Sequence, residues 1–262
     1  MNDKWTSECG TVTLYLGDCL EILPTLAPGS VDVCVSSPPY NMIPKTTPSG
    51  IYAEHSRKLN SGYDSHADDM PQDEYEEWIR QVFGECVRVC RGLVWVNHKV
   101  KFVDKEARHP IRYLPWKIHS EIIWDRGGSL TLNANRYAPS HEIILGFGVP
   151  HYWDRKNDTK MTVWRINPER RQDHPCPFPI QIPVRCIESS CPLQGVVIDP
   201  FSGSGTTACA AIRSGRRFVG CELSRSYFEK SIDRIQDELN KVAFLEPKKP
   251  RESQRSLLEN ET

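Results

Sequence analysis

The stretch GVVIDPFSGSGTTACAAIRSG, residues 195–215, limits the fold more than any other part of the chain. A β-branched run ends at Asp199, two glycines follow at Gly203 and Gly205, and an alanine-rich segment opens at Thr206 and Thr207. This reads as a strand, a turn that needs residues without a Cβ, and a helix whose N-terminus faces whatever the turn approaches. A strand, RFVGCEL, and a helix, SRSYFEKSIDRIQDELNKV, follow at once and complete a βαβ-α unit, which places the chain in the α/β class. Glu222 ends the second strand, about twenty residues beyond the glycines, where an acidic side chain can take the two hydroxyls of a ribose. The turn lacks the Gly-Lys-Ser/Thr ending of a triphosphate loop and departs from the six-residue dinucleotide fingerprint. A nucleoside without a pyrophosphate fits it, with S-adenosylmethionine (AdoMet) as the candidate.

Other elements are legible upstream. TVTLYLGDCLEILPTL reads as a strand, a Gly17-Asp18 turn and a helix ending near Pro24, and SVDVCVSSPP as a second, buried strand. Residues 41–72 have almost no apolar periodicity, the pattern of a functional or disordered loop. QDEYEEWIRQVFGECVRVC then carries a helical stripe of Tyr75, Trp78, Ile79, Val82, Phe83, Cys86 and Val87, and RGLVWVNH returns as a strand. IHSEIIWDRG and SHEIILGFG are expected to be neighbouring strands. The segment VPHYWDRKNDTKMTVWRINPERRQDHPCPFP follows no regular period, and the charged tail from Pro247 is expected to be disordered.

A chain of 262 residues can bury a full core as one α/β domain with a small inserted lobe. With a net charge of −1, a polyanion site must come from local grouping of the 33 basic residues. One group comprises Arg88, Arg91, Lys99, Lys101, Lys105, Arg108, Arg112 and Lys117, and a second Arg155, Lys156, Lys160, Arg165, Arg170 and Arg171. Each is compatible with a phosphate track or with a solvated face. The ten cysteines show no paired Cys-x-x-Cys, and Cys34, Cys209 and Cys221 sit in apolar runs as small hydrophobes. Reduced thiols, no signal peptide at MNDKWTSECG and no apolar run near 18 residues point to a cytoplasmic protein outside membranes. The cysteines and eight histidines lack metal-ligand spacing, so no metal is expected.

SSPPYN, residues 36–41, closes the second strand. Pro38 and Pro39 remove two donors and fix two φ angles, so Ser37-Pro38-Pro39-Tyr40 forms a stiff rim of acceptors with one ring. Such a rim can be a plain rigid turn, and it also suits a flat polar group such as a nucleobase.

Taken together, SSPPY and the later DPFSGSGTT resemble the DNA amino-methyltransferases, in the β-group circular permutation that puts the catalytic motif before the AdoMet motif. The resemblance runs from about Thr13 to Leu239 and includes LYLGDCLEIL, EYEEWIRQVF, EIIWDRG, SHEIILGF, HPCPFPIQIPVRCI and GRRFVGCELSRSYFEKSIDRI in family order. It implies a Rossmann-like AdoMet-dependent methyltransferase fold, a mixed and mostly parallel seven-stranded sheet flanked by helices. It also implies one methyltransferase domain over residues 1–246. Within it fall a catalytic half at about 11–148, a small target-recognition insertion at about 149–173 and an AdoMet-binding half at about 174–246, with 247–262 as the tail.

By the same resemblance Asp199, Phe201, Gly203, Ser204, Gly205 and Thr206 wrap the cofactor. Glu222 holds its ribose, Asp18 accepts from its adenine amino group, and Phe178 and Pro179 close over it. Ser37, Pro38, Pro39 and Tyr40 are the expected catalytic residues. A side-chain oxygen at position 37 and the Pro38 carbonyl would take both hydrogens of an exocyclic amino group, so that its lone pair aims at the methyl, with Tyr40 stacked on the base. The base must be flipped out, and the 41–72 loop could fold over it. Cytosine C5 chemistry is discounted, since Pro175-Cys176 lies in the cofactor half. In the family Ser before Pro-Pro generally accompanies cytosine N4 methylation and Asp or Asn accompanies adenine N6, so Ser37 implies N4, with adenine N6 as the alternative. Arg155, Lys156, Arg165, Arg170 and Arg171 are the candidates for contacts with double-stranded DNA, and Trp153 and Trp164 are expected to pack in the core. The residues leave open an RNA substrate, a cognate restriction endonuclease as partner, and a homodimer.

Overall fold

The computed structural model describes residues 3–41, 70–103, 106–128, 137–154, 161–168 and 179–245. Along the chain run β1 (Asp3–Thr6), β2 (Val12–Leu16), α1 (Cys19–Ile22), β3 (Val33–Ser36), α2 (Gln72–Val89) and β4 (Val94–His98). The hairpin of β5 (Lys101–Val103) and β6 (Glu106–Arg108) precedes β7 (Ile118–Asp125), β8 (His141–Phe147) and β9 (Val163–Arg165). The last third holds α3 (Gln181–Ser190), β10 (Val196–Asp199), α4 (Thr206–Arg213), β11 (Arg217–Glu222) and α5 (Arg225–Leu245).

Strands β3 and β4 are buried along their whole length, which requires cover on both faces of the sheet. Alternation then sorts their residues. Val33, Val35, Trp95 and Val197 join Val12, Leu14 and Phe218 on one face, against Ile182, Cys186 and Ile187 of α3, Ala208 and Ala211 of α4, and Phe228 and Ile235 of α5. Cys34, Val94, Val96, Ile198 and Cys221 face the other way, onto Cys19 and Ile22 of α1 and the Tyr75, Ile79, Val82, Phe83, Cys86 and Val89 stripe of α2. Trp78 and Val87, expected in that stripe, are only partly buried. The nine described cysteines are free, and all but Cys9 are buried; burial pushes the Cys34 thiol up to about 11.

The sheet order is β1-β2-β11-β10-β3-β4-β8-β7-β9. Strands β2, β11, β10, β3 and β4 are parallel, β8 runs against both its neighbours, β9 is parallel to β7, and β1 antiparallel to β2. The sheet therefore has nine strands among the described residues, where seven were expected. The two extra ones, DKWT and VWR, are mostly exposed edge strands of four and three residues, too short to show an alternating period. β7 and β8 are neighbours as their sequences imply.

The topology itself places a site. β10 leads through α4 to β11 on one side, while β3, on its other side, leads away through α2 to β4. At such a switch point the loops beyond the carboxyl ends diverge and leave a crevice. Among the described residues no helix is long and apolar enough to cross a membrane.

Candidate active site

Six segments converge on that carboxyl edge: Ser36 to Asn41 after β3, Asp199 to Gly205 after β10, Glu222 at the end of β11, Gly17 and Asp18 after β2, Asn97 and His98 closing β4, and Glu142 at the start of the antiparallel β8. The two halves are tied at the centre. Ser36 Oγ donates to Asp199 Oδ1 at 2.6 Å, and the same oxygen accepts from the Phe201 N–H at 3.0 Å. Burial pushes the Asp199 carboxyl up to about 6, against the pull of its hydrogen bonds from Ser36, Thr207 and the Phe201 backbone.

In the loop after β10, Gly203 has φ +52° and Gly205 φ +78°, the left-handed region in which glycine is at ease. A Cβ on Gly205 would meet Ser231 Cβ at 3.3 Å, so that glycine lets α4 close on α5. One on Gly203 would meet nothing nearer than the Phe201 carbonyl at 3.9 Å, so the loop is open there. Arg234 of α5 clasps the loop from behind, donating to the Ser204 carbonyl, Ser204 Oγ and Thr206 Oγ1. Ser202 Oγ is buried with no hydrogen-bond partner among the described residues. Phe201 packs its ring on Trp78 and Phe83 of α2.

Glu222 reaches the same loop. Its carboxylate accepts from the Gly203 N–H and the Ser224 N–H, each at 2.8 Å, and burial raises it above the usual carboxylate range. Gly17 N–H donates to the Glu222 carbonyl, which sets Asp18 beside it, where Asp18 Oδ1 caps α1 by accepting from the Leu20 N–H at 2.8 Å.

Two hydrogen-bonded chains hold the Ser37 to Tyr40 rim. On one side Tyr75 donates to the Pro39 carbonyl at 2.7 Å, and His98 Nε2 lies 2.8 Å from the Tyr75 hydroxyl. Because that tyrosine proton goes to a carbonyl, Nε2 carries the imidazole hydrogen, and Nδ1 accepts from the Lys99 N–H at 2.8 Å. Burial pulls His98 down to about 4. On the other side the Tyr40 hydroxyl meets Ser37 Oγ at 3.0 Å, Asn97 Nδ2 at 2.6 Å and Glu142 Oε2 at 3.1 Å. Glu142 in turn pairs with Lys99 at 3.3 Å and Arg126 at 3.1 Å. The Tyr40 ring has the Lys99 ammonium 5.1 Å and the His98 ring 5.0 Å from its centroid.

The structure thus brings Asp18, Ser37, Pro38, Pro39, Tyr40, Asp199, Phe201, Gly203, Ser204, Gly205, Thr206 and Glu222 to one edge of the sheet. Pro179 immediately precedes the turn into α3. Phe178, Arg155, Lys156, Arg170 and Arg171, most of the 41–72 loop and the tail lie outside the described residues. Arg165 stands on β9, its side chain 88% exposed and bonded to Asp125 at 3.1 Å. Trp164 is buried, whereas Trp153 is 42% exposed with its ring against His119, a correction to the expectation that both pack in the core. Trp153 lies in the chain after β8 and, among the described residues, meets only the rim of the sheet, with its ring 5.1 Å from that of His119 on β7. The first basic group is largely engaged within the protein: Arg88 with Glu85, Arg91 with Asp32, Lys99 with Glu142, Lys101 with Gln72, Arg108 with Glu76 and Arg112 with Glu106. Ser36, Tyr75, Asn97, His98, Glu142 and Ser202 were not singled out from the sequence as site residues. The signal was there for some of them: a glutamate inside the buried run HEIILGF, and Asn-His closing the apolar VWV.

The sequence model of the DNA methylase family (N6_N4_Mtase) matches residues 31–233, which span both the Ser37 rim and the glycine loop. The chain belongs to the DNA methylase family. Among curated relatives, this methylase is 26% identical to the type II methyltransferase M.ScaI of Streptomyces caespitosus, over 88% of its own length and 83% of the relative's. It is 24% identical to the DNA adenine methyltransferase YhdJ of Escherichia coli K12, over 85% and 82%. Among solved structures it superposes on the cytosine-N4-specific PvuII DNA methyltransferase with a TM-score of 0.65 at 17% identity, covering 90% of this chain and 93% of that one. On a putative DNA modification methylase of Thermus thermophilus, solved with S-adenosyl-L-methionine, the TM-score is 0.61 at 21% identity, covering 86% and 93%. The methylase therefore has the fold of the AdoMet-dependent DNA methyltransferases.

Proposed function

We propose that this methylase transfers a methyl group from AdoMet to the exocyclic N4 of a cytosine flipped out of double-stranded DNA. The observation that carries the base is Ser37 itself: a neutral hydroxyl, 3.0 Å from the Tyr40 hydroxyl, where the rim leaves β3 at the switch point.

The loop fits the cofactor. Gly203 leaves an unobstructed approach, the buried Ser202 Oγ has no protein partner among the described residues, and Glu222 offers a carboxylate at the end of β11. Asp18, Phe201, Gly203, Ser204, Gly205, Thr206 and Glu222 would hold AdoMet, which supplies the methyl group as an electrophile on sulfonium sulfur. Ser37 Oγ and the Pro38 carbonyl accept the two amino hydrogens of the base, which draws the nitrogen lone pair out of the ring and aligns it for transfer. The carbonyl of Pro39 is already taken by Tyr75, which stiffens the rim around its neighbour. Flipping is required because the amino group is unreachable inside a duplex.

The experiment is to incubate the protein with AdoMet and unmethylated DNA, digest to nucleosides and identify the product by mass spectrometry, with Ser37→Ala in parallel. N4-methylcytosine that disappears in the variant is the expected result. A second reading, adenine N6, is favoured by the relationship to a relative named as a DNA adenine methyltransferase. N6-methyladenine as product would replace the first reading by the second.

A further inference from the structure

We infer that Glu142 is a positioning residue for methyl transfer: through Tyr40 it fixes the direction of the hydrogen bonds so that Ser37 presents only lone pairs to the substrate amino group. The inference rests on the reading of Ser37 as an acceptor, for either base.

A serine hydroxyl left to itself rotates, and in some of its orientations it points a hydrogen at an amino group that has only hydrogens to offer. Something must turn that hydrogen away. Glu142 is 4% exposed, and Lys99 at 3.3 Å and Arg126 at 3.1 Å pair with its Oε1. An ion-paired carboxylate accepts only. Its Oε2 lies 3.0 Å from Asn97 Nδ2 and 3.1 Å from the Tyr40 hydroxyl, so both must donate to it. This also settles which way the Asn97 amide faces, since the opposite orientation would set its carbonyl oxygen against the carboxylate. With its NH2 so placed, Asn97 donates to the Tyr40 oxygen at 2.6 Å. Tyr40 has one proton, and it goes to Glu142. Removal from solvent and the nearby Glu142 charge raise the Tyr40 phenol well above its ordinary range, so that proton stays in place. The remaining partner of the Tyr40 oxygen is Ser37 Oγ at 3.0 Å, which can only donate to it. The Ser37 hydrogen is thereby committed inward, and both lone pairs of its oxygen face away from Tyr40.

Glu142→Gln keeps the shape but gives the side chain an NH2, which must face either two cations or two donors. Its expected effect is a fall in kcat of about tenfold, the worth of one well-placed hydrogen bond, with KM for DNA and for AdoMet within about twofold of wild type. In a Tyr40→Phe background the same replacement should change kcat by less than about twofold, because the link it acts through is gone. A merely structural role would lower kcat equally in both backgrounds, and that outcome overturns the inference, as does wild-type kcat in Glu142→Gln. Should Glu142→Gln fail to fold by its unfolding curve, Tyr40→Phe leaves the carboxylate and both cations in place and decides together with its Ser37→Ala combination. It must lower kcat, and Ser37→Ala combined with it must be no slower than Ser37→Ala. Wild-type kcat in Ser37→Ala would instead remove the underlying reading of Ser37, whatever Glu142 does.

Discussion

Ser36 Oγ and Asp199 Oδ1, 163 residues apart in sequence, meet at 2.6 Å where the two central strands end. Both residues are buried, at 1% and 3% exposure, so the rim after β3 and the loop after β10 share a polar contact away from solvent. Removing the hydroxyl leaves a buried carboxyl with one donor fewer. Ser36→Ala is expected to lower stability by about 1.5–3 kcal/mol, the range for a hydrogen bond to a charged group, read as a shift of the denaturation midpoint at constant slope. An unchanged midpoint would show that the contact contributes nothing.

The pH dependence of stability should be flatter than either buried group alone would make it. His98 is pulled down to about 4, so as pH falls from 6.5 the unfolded chain takes up that proton first and stability drops, by roughly 3 kcal/mol at pH 4. Asp199 has the opposite sign. Its carboxyl is pushed up to about 6, so the folded protein takes up that proton first, and stability rises by about 3 kcal/mol as pH falls to the unfolded value near 4. The two contributions nearly cancel between pH 6.5 and 4. Asp199→Asn removes the second, and its stability should fall more steeply with acid across that window than that of the wild type. Parallel pH profiles from urea titrations of the two proteins would contradict the assignment.

What could be read in advance followed chain proximity. The strand, glycine turn and helix of residues 196–213 lie within one short segment, and their β-branched run, glycines and alanines each favour the element they form. Ser37 to Tyr40 was visible because two prolines stiffen the exit of a buried strand and because SSPPY precedes DPFSGSGTT in the order of the family it resembles. Edge strands β1 and β9 were not, because three or four half-exposed residues carry no period. The Glu142 contact with Tyr40 spans 102 residues and joins β8 to the rim after β3, elements far apart in sequence. Such a contact depends on the sheet order, and nothing in a local pattern specifies that β8 inserts antiparallel beside β4.

Glu222 does two things at once, and replacements should separate them. Its carboxylate holds the Gly203 and Ser224 N–H groups, and it is the proposed ribose ligand. Glu222→Ala should lose AdoMet binding by at least about tenfold in calorimetry, since a charge-assisted contact and the loop position disappear together. Glu222→Gln retains one good acceptor and should bind between the two. Equal affinity in all three proteins would remove Glu222 from the cofactor site.

The two loop glycines make different demands despite similar backbone angles. At Gly203 an alanine must adopt φ near +52°, a cost of about 1–2 kcal/mol, but its methyl meets no protein atom within 3.9 Å. The open side of Gly203 is the side from which the cofactor is proposed to approach, so the methyl would compete with the ligand and not with the fold. At Gly205 the same conformational cost applies at φ +78°, and the methyl also comes within 3.3 Å of Ser231 Cβ, closer than an ordinary contact, while it only touches Ile235 at 3.6 Å. There Ser231 must give by a few tenths of an ångström, and where the packing of α4 on α5 resists this the overpacking adds about 1–3 kcal/mol. Gly203→Ala is therefore expected to melt within a few degrees of wild type yet bind AdoMet at least about tenfold more weakly, and Gly205→Ala to show the larger loss of melting temperature. If Gly203→Ala bound AdoMet as wild type does, the glycine would be serving the turn alone, and the proposed path of the cofactor along this loop would have to be abandoned.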